Sequence, residues 1–358
     1  MENNIQTQKA GDNSTQIQVE KIENNYGMGV QEVTQIVKNE IDIALKENSL
    51  VAETVARKRL NEFSEIFLPK LVKSNLIECF SEPAIQLFFR NTEKTAICTD
   101  SRNCYEILSE ILIHRVNKKE DFTTIAATNK AIEIADKISD DALLFLTIFL
   151  CVNRFIPNNG NINQGLQLLD NLYGNILKER EIPYSQNIID NLEIVGAIRK
   201  QELLTYKSFD DFFPDLLDGY ANAGIDTETE NYQKAKELLK EIGIDEKFIF
   251  SNSLIEKHIR INVVNREQLD KLIITLNQQE KVNRILNEIY DLYDNSNENK
   301  RNAKNEFLRL LNNYTNIIKV KNWWDTNIKT CGVSITAVGK VLAHTNAKCL
   351  DSNLPDLD

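Results

Sequence analysis

ALLFLTIFLCV, residues 142–152, is the strongest hydrophobic run of the chain. It contains one polar side chain, Thr147, and no charged residue. A helix that crosses a bilayer needs about 20 predominantly apolar residues, so this run is too short to span a membrane. A helix that is apolar on all sides is instead typical of a protein core. We therefore expect residues 140–154 to form a helix buried in the protein core, and a monotopic or membrane-inserting role is the alternative.

The composition around this run also favours helices. The 358 residues include only 12 glycines and 6 prolines, so the chain has few breakers and few tight turns. Hydrophobic residues make up 42% of it, which is enough for a sizeable core. We predict a mainly α fold: a multi-helix body with a short N-terminal β-prone segment and a small C-terminal winged-helix-like α+β unit.

The pattern along the chain divides it into five predicted segments. They are a polar β-prone oligomerisation segment or tail (1–29), a helical body (30–264), a helical hairpin (265–322), the winged-helix-like unit (323–350) and an acidic, disordered tail (351–358).

Four local features within these segments are expected to shape the backbone. The helical pattern after Val30 is expected to restart near Leu50, and Pro69 should kink or divide the second helix. Residues 256–264 (EKHIRINVV) are ambiguous, because their apolar residues alternate as in a strand. Residues 295–302 are predicted to be a polar hinge inside the hairpin.

The N-terminal segment is rich in Asn, Gln, Ser, Thr and Gly and contains one alternating stretch, TQIQVE at residues 15–20. A strand there would carry its aliphatic side chains on one face and its glutamines on the other. A lone strand cannot satisfy its own backbone, so it is a disordered tail, docks on the body, or pairs with copies of itself. Stacked identical strands also gain ladders of Asn and Gln side chains. The residues predicted to join copies are Gln16, Ile17, Gln18 and Val19.

The charge balance bears on the partners. The 42 basic and 53 acidic residues give a net charge of −11, which repels a polyanion over most of the surface. Nucleic acid is therefore not an expected partner, although a local basic patch would allow it. DNA binding through the winged-helix-like unit stays an alternative, for which Lys329 and Lys340 supply little positive charge.

The sequence predicts no catalytic residue, no cofactor site and no metal ligand. Phosphate-binding loops and CxxC pairs are absent, and the three histidines, His114, His258 and His344, lie far apart. The six cysteines are scattered, and the N-terminus lacks the features of a secretion signal. We therefore expect reduced thiols and a cytoplasmic location.

Two acidic patterns resemble metal sites. Residues 210–215 (DDFFPD) superficially suggest a magnesium-holding aspartate motif, although their phenylalanines also fit an ordinary packed helix face. Asp215 with Asp245 and Lys247 also fits the letters of a metal-dependent nuclease, in which the acid and the lysine share one cation. Such sites place these residues on neighbouring strands, whereas here they fall in a helical pattern and at a helix end.

Three landmarks carry a resemblance to known proteins. They are GDNSTQIQ at 11–18, the run 143–152 followed by GLQLLDNLY at 165–173, and ITAVGK at 335–340. Together they resemble an uncharacterised family of bacterial proteins. The last one is similar to the LTxxG ending of bacterial abortive-infection proteins of the alpha type, with Ile335 in place of the leucine. The resemblance implies a bacterial cytoplasmic protein in phage defence and supplies no catalytic residues.

These observations favour a non-enzymatic self-assembling or sensor protein. Its N-terminal segment would form a homo-oligomer, and its helical body would meet a protein partner or a phage component. A DNA-binding regulator and a cryptic metal-dependent nuclease are the alternatives.

Overall fold

The structure, a computed structural model, describes residues 30–74, 76–117, 122–201, 203–241, 249–265, 267–268 and 279–357. Within these ranges the chain forms thirteen α-helices and five short strands. The mainly α class predicted from the sequence is confirmed, and the strands form two small antiparallel sheets.

The first half of the chain is helical. Its helices are α1 (Val30–Lys73), α2 (Pro83–Ile97), α3 (Arg102–Asn117), α4 (Phe122–Ile134), α5 (Asp140–Arg154), α6 (Ile162–Leu177) and α7 (Gln186–Ile194). The second half mixes strands with helices. Its elements are β1 (Ile198–Lys200), α8 (Phe209–Leu216), β2 (Ile225–Asp226), α9 (Glu230–Glu241), β3 (Ile249–Ser251), β4 (His258–Ile261), α10 (Gln279–Asp291), α11 (Asn297–Leu311), α12 (Thr315–Trp323), β5 (Val333–Ile335) and α13 (Ala337–Leu350).

The chain divides into two units, residues 1–58 and 59–358, and the boundary falls within α1. The break expected near Leu50 is absent, because α1 is continuous from Val30 to Lys73. No glycine or proline interrupts the chain there. Pro69 lies in the last turns of the helix, where its missing N–H removes only one hydrogen bond and the helix need not continue far beyond it.

The core of the second unit is centred on α5, as the sequence predicts. Every residue from Ala142 to Val152 is buried. Ser139 caps the start of the helix, since its hydroxyl accepts a hydrogen bond from the Ala142 N–H (3.1 Å). Helices α6, α7 and α13 pack around α5, and α13 also reaches α3 and α4.

One polar pair lies inside this apolar core. The Asn346 side-chain amide on α13 donates to the Thr147 hydroxyl on α5 (2.9 Å), and that hydroxyl donates to the Leu143 carbonyl (2.7 Å). Both side chains are buried. The pair therefore adds a directional contact to an interface that is otherwise held by apolar burial.

The predicted C-terminal unit contains its strand and helix, but both are built into the body. Strand β5 pairs antiparallel with β1, with Ile198 opposite Ile335 and Lys200 opposite Val333. Helix α13, which follows β5, packs along α5. The segment 323–350 is thus joined to the rest of the fold through its strand and through its helix.

A second, smaller core surrounds the other sheet, whose strand order is β2-β4-β3. Strand β4 resolves the ambiguity of residues 256–264 in favour of a strand.

The predicted helical hairpin corresponds to α10 and α11. Helix α10 packs on α9 beside the small sheet, whereas α11 packs on α8. The two helices of the predicted hairpin therefore have different neighbours. Most of the predicted hinge is the start of α11, which Ser296 caps by accepting from the Asn299 N–H (3.3 Å).

A buried arginine joins the two cores. Arg260 on β4 is 2% exposed, and its guanidinium donates to the backbone carbonyls of Gly219 (3.1 Å) and Gly160. It also lies over the Tyr220 ring, 5.5 Å from the centroid. The neighbouring Asn262 side chain accepts from the Gly160 N–H (2.8 Å). The loop that follows α5 is thereby tied to the small sheet by hydrogen bonds to its backbone.

We predict that Arg260→Met lowers the free energy of unfolding by about 3 kcal/mol, because it leaves two buried carbonyls without donors at roughly 1–3 kcal/mol each. Urea unfolding followed by circular dichroism measures the change. Arg199→Met on the exposed side of β1 is the matched control, and it should change stability by less than about 0.5 kcal/mol. Equal losses in the two variants would contradict a special role for Arg260.

Candidate functional site

The N-terminal unit presents exposed apolar side chains. Gln16, Ile17, Gln18 and Val19 lie outside the described residues, so their role stays a prediction. Among the described side chains of residues 30–58, none is buried. Leu50, Val51 and Val55 are 66%, 64% and 41% exposed. These three side chains thus add exposed apolar surface to this part of α1.

The aspartates of α8 are held in ion pairs. Each faces a lysine of its own: Asp210 with Lys321, Asp211 with Lys304 (2.7 Å), and Asp215 with Lys207 (2.6 Å). Hydrogen bonds from Lys304 and Ser208 lower the pKa of Asp211. Phe209 and Phe213 of the same helix are buried. The pattern DDFFPD is thus a packed helix face with lysine-paired acids, an arrangement that does not gather carboxylates on one cation.

The nuclease pattern is only partly described. Asp245 and Lys247 lie outside the described residues. Asp215 lies on a helix, and its side chain is 63% exposed. In the part of the chain that the structure describes, no group of three or more His, Cys, Asp or Glu side chains is arranged to hold a metal ion.

The ITAVGK motif at residues 335–340 has a structural explanation. The Thr336 hydroxyl caps α13 by accepting from the Gly339 N–H (3.1 Å), and it lies within hydrogen-bond distance of the Gly196 carbonyl (2.8 Å). The Thr336 N–H donates to the Ala197 carbonyl (3.0 Å). A Cβ atom at Gly339 would lie 2.1 Å from that same carbonyl oxygen. The threonine and the glycine are therefore needed where the start of α13 meets the chain before β1.

The DNA-binding alternative would need an exposed recognition helix. Eight of the fourteen residues of α13 are buried against the body. Lys340 and Lys329 are exposed, but no broad face of the helix is free to enter a major groove. The structure thus offers this alternative no support beyond the two lysines that the sequence already showed.

An open groove of about 1120 Å³ runs beside α13. The end of α5 and the loop after it form one wall, and one face of α6, the first half of α13 and residues 351–356 form the others. The polar side chains on these walls include Arg154, Asn171, Asn175, Lys340 and His344. Among the described residues that line it, no Ser, Thr or Cys stands beside a histidine as a nucleophile would. The walls combine amides, single charges and leucines, the apolar and polar mixture of a ligand-binding groove.

Residues 351–357 are packed on the body rather than disordered as the sequence predicted. Leu357 is 8% exposed, and Leu354 packs against the same core. Asp351 accepts from the Asn175 side-chain amide (3.0 Å) and from the Asn353 N–H (3.1 Å). The acidic composition suggested a solvated tail, but two leucines three residues apart provide the apolar anchors that hold it.

Three cationic or imidazole side chains bind this segment. Lys348 pairs with Asp356. His114 on α3 bonds to the Leu357 carbonyl through Nε2 (3.1 Å), and His344 on α13 bonds to the Pro355 backbone. The fold thus brings two of the three histidines to one segment, although nothing in their sequence spacing indicates it.

His344 is held in its neutral form. Burial, and then the nearby positive charges of Arg154 and Lys348, lower its pKa to about 4. The ring is 3% exposed and lies 5.7 Å from the Phe155 ring. A neutral imidazole that bonds to a backbone carbonyl acts as a packing and hydrogen-bonding group here.

Residues 27–355 match the model of a protein family described as “:-like”, and this description states no activity, ligand or partner. The chain belongs to this family. The match includes α1, α5, α13 and every residue that lines the groove except Asp356, and it leaves out Gln16–Val19. No curated protein and no solved structure matches the chain. Among the described helices, none combines the length and the apolar character that crossing a membrane requires.

We predict that Gly339→Ala destabilises the protein by about 2 kcal/mol, as overpacking against a fixed neighbour does. The added methyl group meets the Ala197 backbone, which cannot rotate away. Helix propensity alone predicts the opposite sign, a gain of about 1 kcal/mol. Thermal unfolding distinguishes the two, with Lys340→Ala at the exposed next position as the control. A more stable Gly339→Ala variant would contradict the close packing of Gly339 against the Ala197 carbonyl.

A second prediction concerns pH. The pKa of His344 is near 6.5 when unfolded and about 4 when folded, so the unfolded chain binds more protons between these values. Its contribution to stability is therefore complete above pH 6.5 and is lost as the pH falls towards 4, by on the order of 3 kcal/mol. The variant His344→Gln keeps a donor and cannot titrate. Urea unfolding between pH 7 and pH 4 should give it a shallower loss than the unsubstituted protein, and parallel curves would contradict the assignment.

Proposed function

We propose that this protein is a non-enzymatic assembly protein whose copies join through residues 1–58 and whose helical body binds a partner. One observation carries the proposal: among the described side chains of residues 30–58, none is buried, yet Leu50, Val51 and Val55 expose apolar surface. Large uncovered apolar surfaces mark interaction sites.

The polar segment before α1 supports the same conclusion through its sequence. Ile17 and Val19 would pack together on one face of a strand, and Gln16 and Gln18 would form ladders with the same residues of other copies. Pairing between copies also satisfies the strand backbone, which a lone strand cannot do for itself.

The body supplies the second half of the proposal. Its groove beside α13 is large and open, and the acids of α8 are already held by lysines. A surface of this kind recognises a ligand or a protein segment and does not transform it. We propose that a protein partner or a phage component binds there, so that the assembly acts as a sensor.

Phage defence in a bacterial cytoplasm is the setting that we propose. It is supported by the similarity of residues 335–340 to the ending of alpha-type abortive-infection proteins. Because Thr336 and Gly339 serve helix capping and close packing, this similarity supports a shared architecture and names no shared chemistry.

The mass of the full chain in solution tests the proposal. We expect the unsubstituted protein to be a multimer by light scattering after size exclusion, and Ile17→Asp with Val19→Asp to lower its mass by an integral factor, because charges on the packed face of the strand repel. The control is Asn3→Asp with Gln8→Asp, which adds the same charge outside the strand. An unchanged mass in the Ile17 and Val19 variant would show that the N-terminal segment does not hold the copies together.

A further inference from the structure

We infer that a second copy of this chain packs along α1, parallel and in register, so that two helices form a short coiled coil over residues 34–55. This inference rests on the proposed self-assembly and specifies its basic unit. The name “α1 seam” is used below for the residues at the contact: Thr34, Val37, Ile41, Ala44, Asn48, Val51 and Val55.

The spacing of the α1 seam is that of a coiled coil. Its residues follow one another at alternating steps of three and four, which places them at the first (a) and fourth (d) positions of three successive heptads and, for Val55, at the a position of the next. Five of the seven are apolar. A stripe with this period stays on one side of a helix and faces a partner along the whole length.

The described part of the α1 seam is uncovered. Val51 and Val55 are 64% and 41% exposed, and Ser49–Thr54 are all exposed as well. Most of the stability of a helix in a protein comes from packing its apolar face against a partner. The exposed side chains of Val51 and Val55 are therefore available to a partner helix.

Asn48 argues that the partner is another copy. A polar asparagine at one a position of a coiled coil fixes register and oligomeric state, because it can bond with the same residue of the second helix. Only an in-register parallel pair places Asn48 opposite Asn48.

Charge does not oppose this pairing. In a parallel dimer the seventh position of one heptad (g) lies opposite the fifth position (e) of the next heptad on the other helix. None of these pairs sets like charges together: Val33 with Lys38, Glu40 with Leu45, Glu47 with Ala52, and Thr54 with Arg59.

The parallel direction also suits the segment before the helix. A helix spanning residues 34–55 is about 30 Å long at 1.5 Å per residue. An antiparallel pair would put the two copies of Ile17 and Val19 at opposite ends of this length. A parallel pair brings the two N-terminal segments to the same end, where their strands can meet.

Cysteine cross-linking in the full chain tests the geometry. In a Cys98→Ser background, which removes the exposed native thiol, Val51→Cys should form a disulfide-linked dimer under mild oxidation because the two copies of the residue face each other. Glu53→Cys lies on the outward side of the same turn and is the control. Equal cross-linking of the two variants would overturn the parallel in-register arrangement.

Solution mass separates this inference from the proposed role of the N-terminal segment. With Ile17→Asp and Val19→Asp already present, we expect a dimer, and adding Val51→Asp with Val55→Asp should halve its mass. The control adds Asn39→Asp with Ser49→Asp, which carry the same charge on the outward side of the helix, and circular dichroism checks that each variant stays folded. If the chain with only the Ile17 and Val19 changes is already a monomer, the α1 seam is refuted while assembly through the strand stands. If those changes leave the mass unaltered and the α1 seam changes lower it, the α1 seam stands and the role of the strand fails.

Discussion

The fold depends on keeping α5 out of water. The helix is buried from Ala142 to Val152. Its side chains are apolar on all sides, so other elements must pack around it to keep it from water. Helices α6 and α7, which follow it, supply part of that cover, and α13 supplies more from the far end of the chain. The pairing of β1 with β5 and the capping of α13 by Thr336 hold this distant helix in place.

Hydrogen bonds help to attach the smaller core to the main body. The sheet β2-β4-β3 and helices α9 and α10 bury their own apolar side chains, while Arg260 reaches across to backbone carbonyls of the main body. The groove beside α13 is lined in part by buried leucines of the main core, among them Leu150 and Leu169.

Much of this could be predicted where one local pattern decides the structure. The apolar run of α5, the alternation in residues 256–264 and the C-terminal motif are all visible in the sequence; the structure confirms the buried helix and resolves the ambiguous segment as a strand. The lysine partners of the α8 acids, the pairing of β1 with β5 and the meeting of His114 with His344 join residues far apart in the chain, and no local period encodes such contacts. The seating of residues 351–357 was missed because composition emphasised their acids over Leu354 and Leu357.

The hydrogen bond between Thr147 and Asn346 has a consequence for how α13 sits on α5. Two smooth aliphatic surfaces gain nearly the same burial after one helix slides past the other by a turn, so apolar packing alone sets their axial position weakly. A slide here would leave the buried Asn346 amide without its 2.9 Å bond to Thr147, whereas the Thr147 hydroxyl would keep its bond to Leu143 in its own helix. This hydrogen bond therefore contributes little to the strength of the contact between α5 and α13. Its effect is to fix the axial register in which the two helices pack.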